Sequence, residues 1–238
     1  MKRVPFSTTG VSQSTVYPGM PQYPGRLVKF LGDDAPPALS IGGSVELVAA
    51  VDSGQCLAVA LASSVASPAA ASALTLPLVG ELAETDAAVV GGFHSPLERR
   101  CLDELTVAGG TAIVCLGRSL TELRIPAIWQ RPLHEGKRVL VSACLPSQKR
   151  ATRESVRVRN NCVLALADHL LIPHASPGGK TEALCLAAIK AGKTVWTIDH
   201  PASQNLVGLG AKAMIPGKVA MLLRSASRTF SASSGSGE

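Results

Sequence analysis

Residues 56–62, 87–90, 111–116, 139–142, 169–172 and 194–198 are short apolar runs, each parted from the next by a segment of helical character. No other feature limits the fold as strongly. The helix-like stretches are 68–84, 96–107, an irregular 125–135, 151–167 and 181–191; several begin near Ser or Pro and end near Gly. A strand that is apolar on both faces has to be covered on both. A helix between two such strands returns the chain to start a parallel neighbour. With right-handed crossovers the expected fold is α/β: a Rossmann-like, doubly wound, mostly parallel sheet with helices on both faces.

The core of that sheet must come from Ala, Val and Leu, because 46% of residues are apolar and only 3% aromatic. The Ser, Thr, Gly and Pro of 1–25 suggest a flexible arm, and Ser/Gly-rich 225–238 a disordered tail, around a single domain over 26–224. A formal net charge of +6 favours polyanionic partners, only moderately for 238 residues. The six cysteines form no C-x-x-C pair, so free thiols in a reducing compartment are expected, with no metal site and no cofactor. Neither a basic-then-apolar leader nor an apolar stretch long enough for a bilayer is seen, and the expectation is a cytoplasmic protein without membrane contact.

In such sheets ligands collect beyond the carboxyl ends of the strands. Small residues cluster there: Ala62-Ser63-Ser64, Gly91-Gly92, Gly117-Arg118-Ser119, and the run from His174 to Glu182. The last combines paired glycines, which let backbone amides approach a ligand, with a helix start whose dipole favours an anion. Gly178, Gly179, Lys180 and Thr181 are therefore candidate phosphate ligands, with Gly91, Gly92 and Arg118 at the neighbouring strand ends. The alternative is ordinary turn chemistry and a solvated Lys180. Neither a G-x-x-x-x-G-K-[ST] loop nor a G-x-G-x-x-G turn is present.

A basic stretch, 149–159, adds Lys149, Arg150, Arg153 and Arg157. Helical spacing would align the three arginines on one face, either along a nucleic-acid backbone or simply in solvent. Arg159 and Asn160, just before an apolar run, are candidates for a phosphate and a sugar or base edge. His94, Ser95 and Glu98 invite a hydrolase reading, but no G-x-S-x-G elbow exists. Ser95-Pro96-Leu97-Glu98 reads as a capping box, and no catalytic residue is assigned. His174 is the best-placed histidine for a site role; Trp129 and Trp196 are expected to pack.

These segments, in their order, resemble the DNA-processing protein A (Smf) family. Tyr23-Pro24-Gly25-Arg26-Leu27, Pro36-Pro37-Ala38-Leu39 with Gly42-Gly43, Gly91-Gly92, Val158-Arg159-Asn160, Ser176 to Ala183, and Asn205-Leu206 with Gly210-Ala211 follow that family's sequence of motifs. The resemblance implies a Rossmann-like protein that binds single-stranded DNA, forms homodimers and assists a recombinase. The family's first strand ends in G-S-R, where this chain has Ala62-Ser63-Ser64. The Asp and His of its G-I-D-x-x-A-H are missing after Gly92, and Asn161 replaces the second arginine of R-N-R. The related "lonely guy" phosphoribohydrolases carry P-G-G-x-G-T-x-x-E, against Pro177-Gly178-Gly179-Lys180-Thr181-Glu182 here. A small-nucleotide binder or nucleoside-phosphate-processing enzyme is thus the alternative to a DNA-binding protein, and a purely structural or partner-binding domain is a third reading.

Overall fold

The computed structural model describes residues 2–223. The elements in chain order are β1 (Arg3–Pro5), β2 (Gln13–Val16), α1 (Gly25–Leu31), β3 (Leu39–Gly42), α2 (Val45–Asp52), β4 (Ala58–Leu61), α3 (Ala69–Ala83), β5 (Ala88–Gly91), α4 (Pro96–Val107), β6 (Thr111–Leu116), β7 (Arg124–Pro126), α5 (Gln130–His134), β8 (Arg138–Ser142), α6 (Arg153–Leu166), β9 (His169–Leu171), α7 (Lys180–Lys190), β10 (Thr194–Ile198), α8 (Gln204–Gly208) and β11 (Lys212–Met214). The main sheet has nine strands in the order β11-β10-β9-β4-β5-β6-β8-β3-β2. β11 to β8 run parallel, whereas β3 lies antiparallel to β8, and β2 to β3.

The six expected strands are β4, β5, β6, β8, β9 and β10. Their alternate residues divide between two cores. Ala58, Ala60, Val90, Ile113, Val139 and Leu170 face one side with Leu27, Val48, Cys162 and Cys185. Val59, Leu61, Val89, Val114, Leu140 and Trp196 face the other with Leu78, Leu82, Leu102 and Leu105. The sheet is thus covered on both faces, the three-layer solution that two-sided apolar strands require.

The expected loose arm is corrected. β1 pairs with β7 and β2 with β3, so the backbone of this segment is hydrogen-bonded into the fold. Phe6, Val16 and Tyr23 are buried, and the Tyr23 hydroxyl donates to the Pro36 carbonyl at 2.6 Å. A few well-spaced large side chains anchor a segment that is otherwise rich in turn formers. The expected tail, 225–238, lies outside the described residues.

Connectivity decides where a site can form. β4, β5, β6 and β8 follow one another in one direction; α6 then carries the chain back, and β9 adds on the far side of β4. The switch point therefore lies between β4 and β9, and their carboxyl ends flank a crevice.

Candidate functional site at the strand ends

Hydrogen bonds knit three strand ends together at this crevice. Beyond β4, the Ser64 N–H donates to the His174 carbonyl at 3.0 Å, and the Ser176 N–H returns a bond to Ser64 Oγ at 2.9 Å. The Ser63 N–H donates to Glu98 Oε1 at 2.8 Å. The other oxygen, Oε2, accepts from the backbone N–H groups of His94 at 2.9 Å and Ser95 at 3.4 Å. Ser95 in turn caps α4 by accepting from the Glu98 N–H, so the capping box expected from sequence is present. Glu98 is 3% exposed. Burial pushes its carboxyl upward, but the bonds and charge from His94 and Ser63 prevail and hold it below the ordinary carboxylate value.

Arg159 lies beneath this knot. It is 7% exposed, and its Nε and Nη2 donate to Asn160 Oδ1 at 3.1 and 2.7 Å. A Cβ at Gly92 would sit 2.7 Å from the Arg159 Cζ, so the loop after β5 passes over the guanidinium only because it has no side chain there. Gly91 is similarly tight, 3.0 Å from the Leu61 carbonyl. Burial depresses the Arg159 pKa, opposed by the charge of Glu98. Arg159 forms no salt bridge among the described residues. The structure thus brings Gly91, Gly92, Arg159 and Asn160 together at the strand ends.

The Gly178-Gly179 turn differs from expectation. Gly178 takes a positive φ of 68°, and its N–H donates to Glu182 Oε2 at 2.6 Å. The Gly179 N–H donates to the Ser176 carbonyl at 2.9 Å. Both glycine amides are committed within the turn, because the acid one helical turn onward reaches back as an internal anion. Asn205 fixes that acid from the other side, donating to Glu182 Oε1 at 2.6 Å and to the Ala175 carbonyl at 3.1 Å. What the turn still presents is the start of α7, which has no side-chain cap, with Lys180 exposed and Thr181 half-buried.

The basic stretch also departs from expectation. Thr152 caps α6, so Lys149 and Arg150 precede the helix and do not continue its face. Lys149 is paired with Glu122 and Arg157 with Glu154, each at 2.7 Å, while Arg150 and Arg153 are exposed without a salt bridge among the described residues. The Ser155 hydroxyl donates to the Gly117 carbonyl at 2.6 Å, fixing the start of α6 beside the end of β6. Arg118, next in the chain, is half-buried.

The model of the family described as DNA recombination-mediator protein A matches residues 14–233. The chain belongs to that family. No curated protein sequence matches it significantly. Among solved structures, DNA processing protein A of Streptococcus pneumoniae is similar with a TM-score of 0.72 at 18% identity, over 91% of this chain and 76% of that one. DNA processing protein A of Helicobacter pylori, solved for its single-stranded DNA binding mode, gives a TM-score of 0.71 at 19% identity, over 93% and 98%. At these identities the likeness establishes the shared Rossmann-like fold.

In this family member, Ser63, Ser64, Glu182 and Asn205, which the sequence showed in strand-end turns and motifs without a role of their own, build the crevice wall. Glu182 carried a signal, an acid three residues after the helix N-cap. The reach of Glu98 from α4 to the end of β4 carried none, because it spans 35 residues of chain. His174, the expected site histidine, is buried and its Nδ1 lies 2.9 Å from the Ala202 carbonyl; its backbone carbonyl is the part that faces β4. Among the described residues there is no cluster of metal-ligating side chains, and no helix is long and apolar enough to cross a membrane.

Proposed function

We propose that this chain binds single-stranded DNA, with phosphates seated at the carboxyl ends of β4, β5, β6 and β9. One observation carries the reading: Arg159 is a buried guanidinium without a salt bridge among the described residues, held at the strand ends under a loop that glycine keeps thin. A cation kept from water without a paired carboxylate favours an incoming anion. Arg118 after β6, Arg153 at the start of α6 and Lys180 at the start of α7 add positive charge, and the uncapped start of α7 adds first-turn amides. Family membership and the single-stranded DNA bound by the Helicobacter pylori protein supply the polymer. The dimer and the recombinase partner implied by the resemblance belong to the same reading, tested by sedimentation and by recombinase loading on coated strands.

The deciding experiment is fluorescence anisotropy with a labelled oligonucleotide over a salt series. Neutralising three or four phosphates predicts a slope of log K against log salt of roughly −2 to −3. The double variant Arg118→Ala/Lys180→Ala should flatten it. Salt-independent or absent binding overturns the proposal, and tight mononucleotide binding without oligonucleotide binding replaces it with the small-nucleotide reading.

A further inference from the structure

The opposite edge of the sheet, where β4, β9 and β10 begin, opens into a second cleft of about 1210 Å³, lined in part by Arg26, Lys29, Phe30, Asp168, His169 and Lys193. Lys193 stands one residue before β10. Its Nζ donates to the Ala167 carbonyl at 2.6 Å and lies 5.0 Å from the centroid of the Phe30 ring. Lys193 forms no salt bridge among the described residues. The acid beside it, Asp168, is already engaged: one oxygen accepts from Arg26 and the other from the Ala58 N–H, each at 2.8 Å.

One condition that makes a lysine nucleophilic, desolvation beside an aromatic face, is therefore met at this atom. Burial holds the amine at about 8 against the charge of Asp168, which Arg26 offsets in part, so a fraction of it is neutral at physiological pH. The cleft wall adds a second unusual group. His169 is 4% exposed, lies against Trp196 with the ring centroids 4.9 Å apart and the planes tilted by 51°, and neither ring nitrogen has a hydrogen-bond partner among the described residues. Burial pushes the pKa of this imidazole down, opposed by the charge of Asp168.

We propose that Lys193 is a site of covalent acylation by acyl phosphates. The lone pair of the neutral amine attacks the carbonyl carbon of the donor. An N–C amide bond forms, the bond from that carbon to the phosphate oxygen breaks, and the departing phosphate takes the displaced amine proton. The exposed Lys29 on the same wall draws the phosphate end of the donor into the cleft. Acylation removes the charge that Lys193 sets against Phe30, so the contact between α1 and the start of β10 weakens.

The test uses the full chain with limiting acetyl phosphate, and peptide mass spectrometry of each lysine across neutral to alkaline pH. Lys193 should acetylate several-fold faster than the exposed Lys190 and Lys212. Its rate should level off above about pH 8 while theirs continues to rise. Phe30→Ala, at a partly exposed position, should rehydrate the amine and slow Lys193 without changing Lys190 or Lys212. A Lys193 rate no greater than that of Lys190 overturns the proposal, as does a rate that Phe30→Ala leaves unaltered.

Discussion

Gly92 and Arg159 fit each other so closely that a single methyl group at the glycine would come within 2.7 Å of the guanidinium carbon. Both residues stand on fixed supports, Gly92 directly after β5 and Arg159 in α6. The loop after β5 therefore covers the cation without displacing it, and the arginine keeps a defined position at the crevice.

Replacing that glycine should disturb stability and binding together. Gly92→Ala forces Arg159 or the loop to move, an overpacking cost of about 1–3 kcal/mol. Urea denaturation measures the loss, and anisotropy should show several-fold weaker binding of single-stranded DNA. An unchanged midpoint would mean that the guanidinium gives way freely.

Glu98 gives a pH dependence with a definite sign. Its folded-state pKa lies below the ordinary value of 4.5, so its ionised form favours the fold. That contribution is present above the ordinary value and is lost as pH falls through the lower folded one. Glu98→Gln should cost about 2 kcal/mol at neutral pH, because charge-assisted bonds from the Ser63 and His94 amides are lost in a buried place. The variant's denaturation midpoint should fall less steeply than the parent's as pH drops below the ordinary value of 4.5.

Charges in the basic stretch should not contribute equally to binding. Lys149 and Arg157 already face Glu122 and Glu154, whereas Arg150 and Arg153 have no such partner among the described residues. Arg150→Ala and Arg153→Ala should therefore weaken single-stranded DNA binding more than Lys149→Ala or Arg157→Ala. Removing one phosphate-neutralising cation should make the salt slope shallower by about 0.7. Equal effects from all four, in anisotropy titrations, would contradict the paired arrangement.

At the start of α7, stability and affinity should move in opposite directions. Glu182→Ala removes the acceptor of the Gly178 amide and the partner of Asn205, costing about 1 kcal/mol as loss of a cap does. It also removes a negative charge beside Lys180 and frees the Gly178 amide, so single-stranded DNA should bind several-fold more tightly. Thermal unfolding and anisotropy on one preparation separate the two effects.

Local pattern determined much of this protein. The apolar runs at 111–116 and 194–198 became β6 and β10 with those bounds, and Ser95-Pro96-Leu97-Glu98 became the start of α4, because backbone pairing and capping depend on neighbours a few residues apart. The glycine and serine turns at the strand ends were legible for the same reason. Tertiary structure alone decided that β9 inserts beside β4, which sets the crevice between residues more than 100 apart in sequence. It alone placed Phe6, Val16 and Tyr23 in the cores and so ordered a segment whose composition suggested a loose arm. It brought Asn205 against the acid that holds the Gly178 amide, and set Arg159 under Gly92. Such placements follow from how helices fold back over a sheet, and contacts across long loops leave no periodic trace in the chain that makes them.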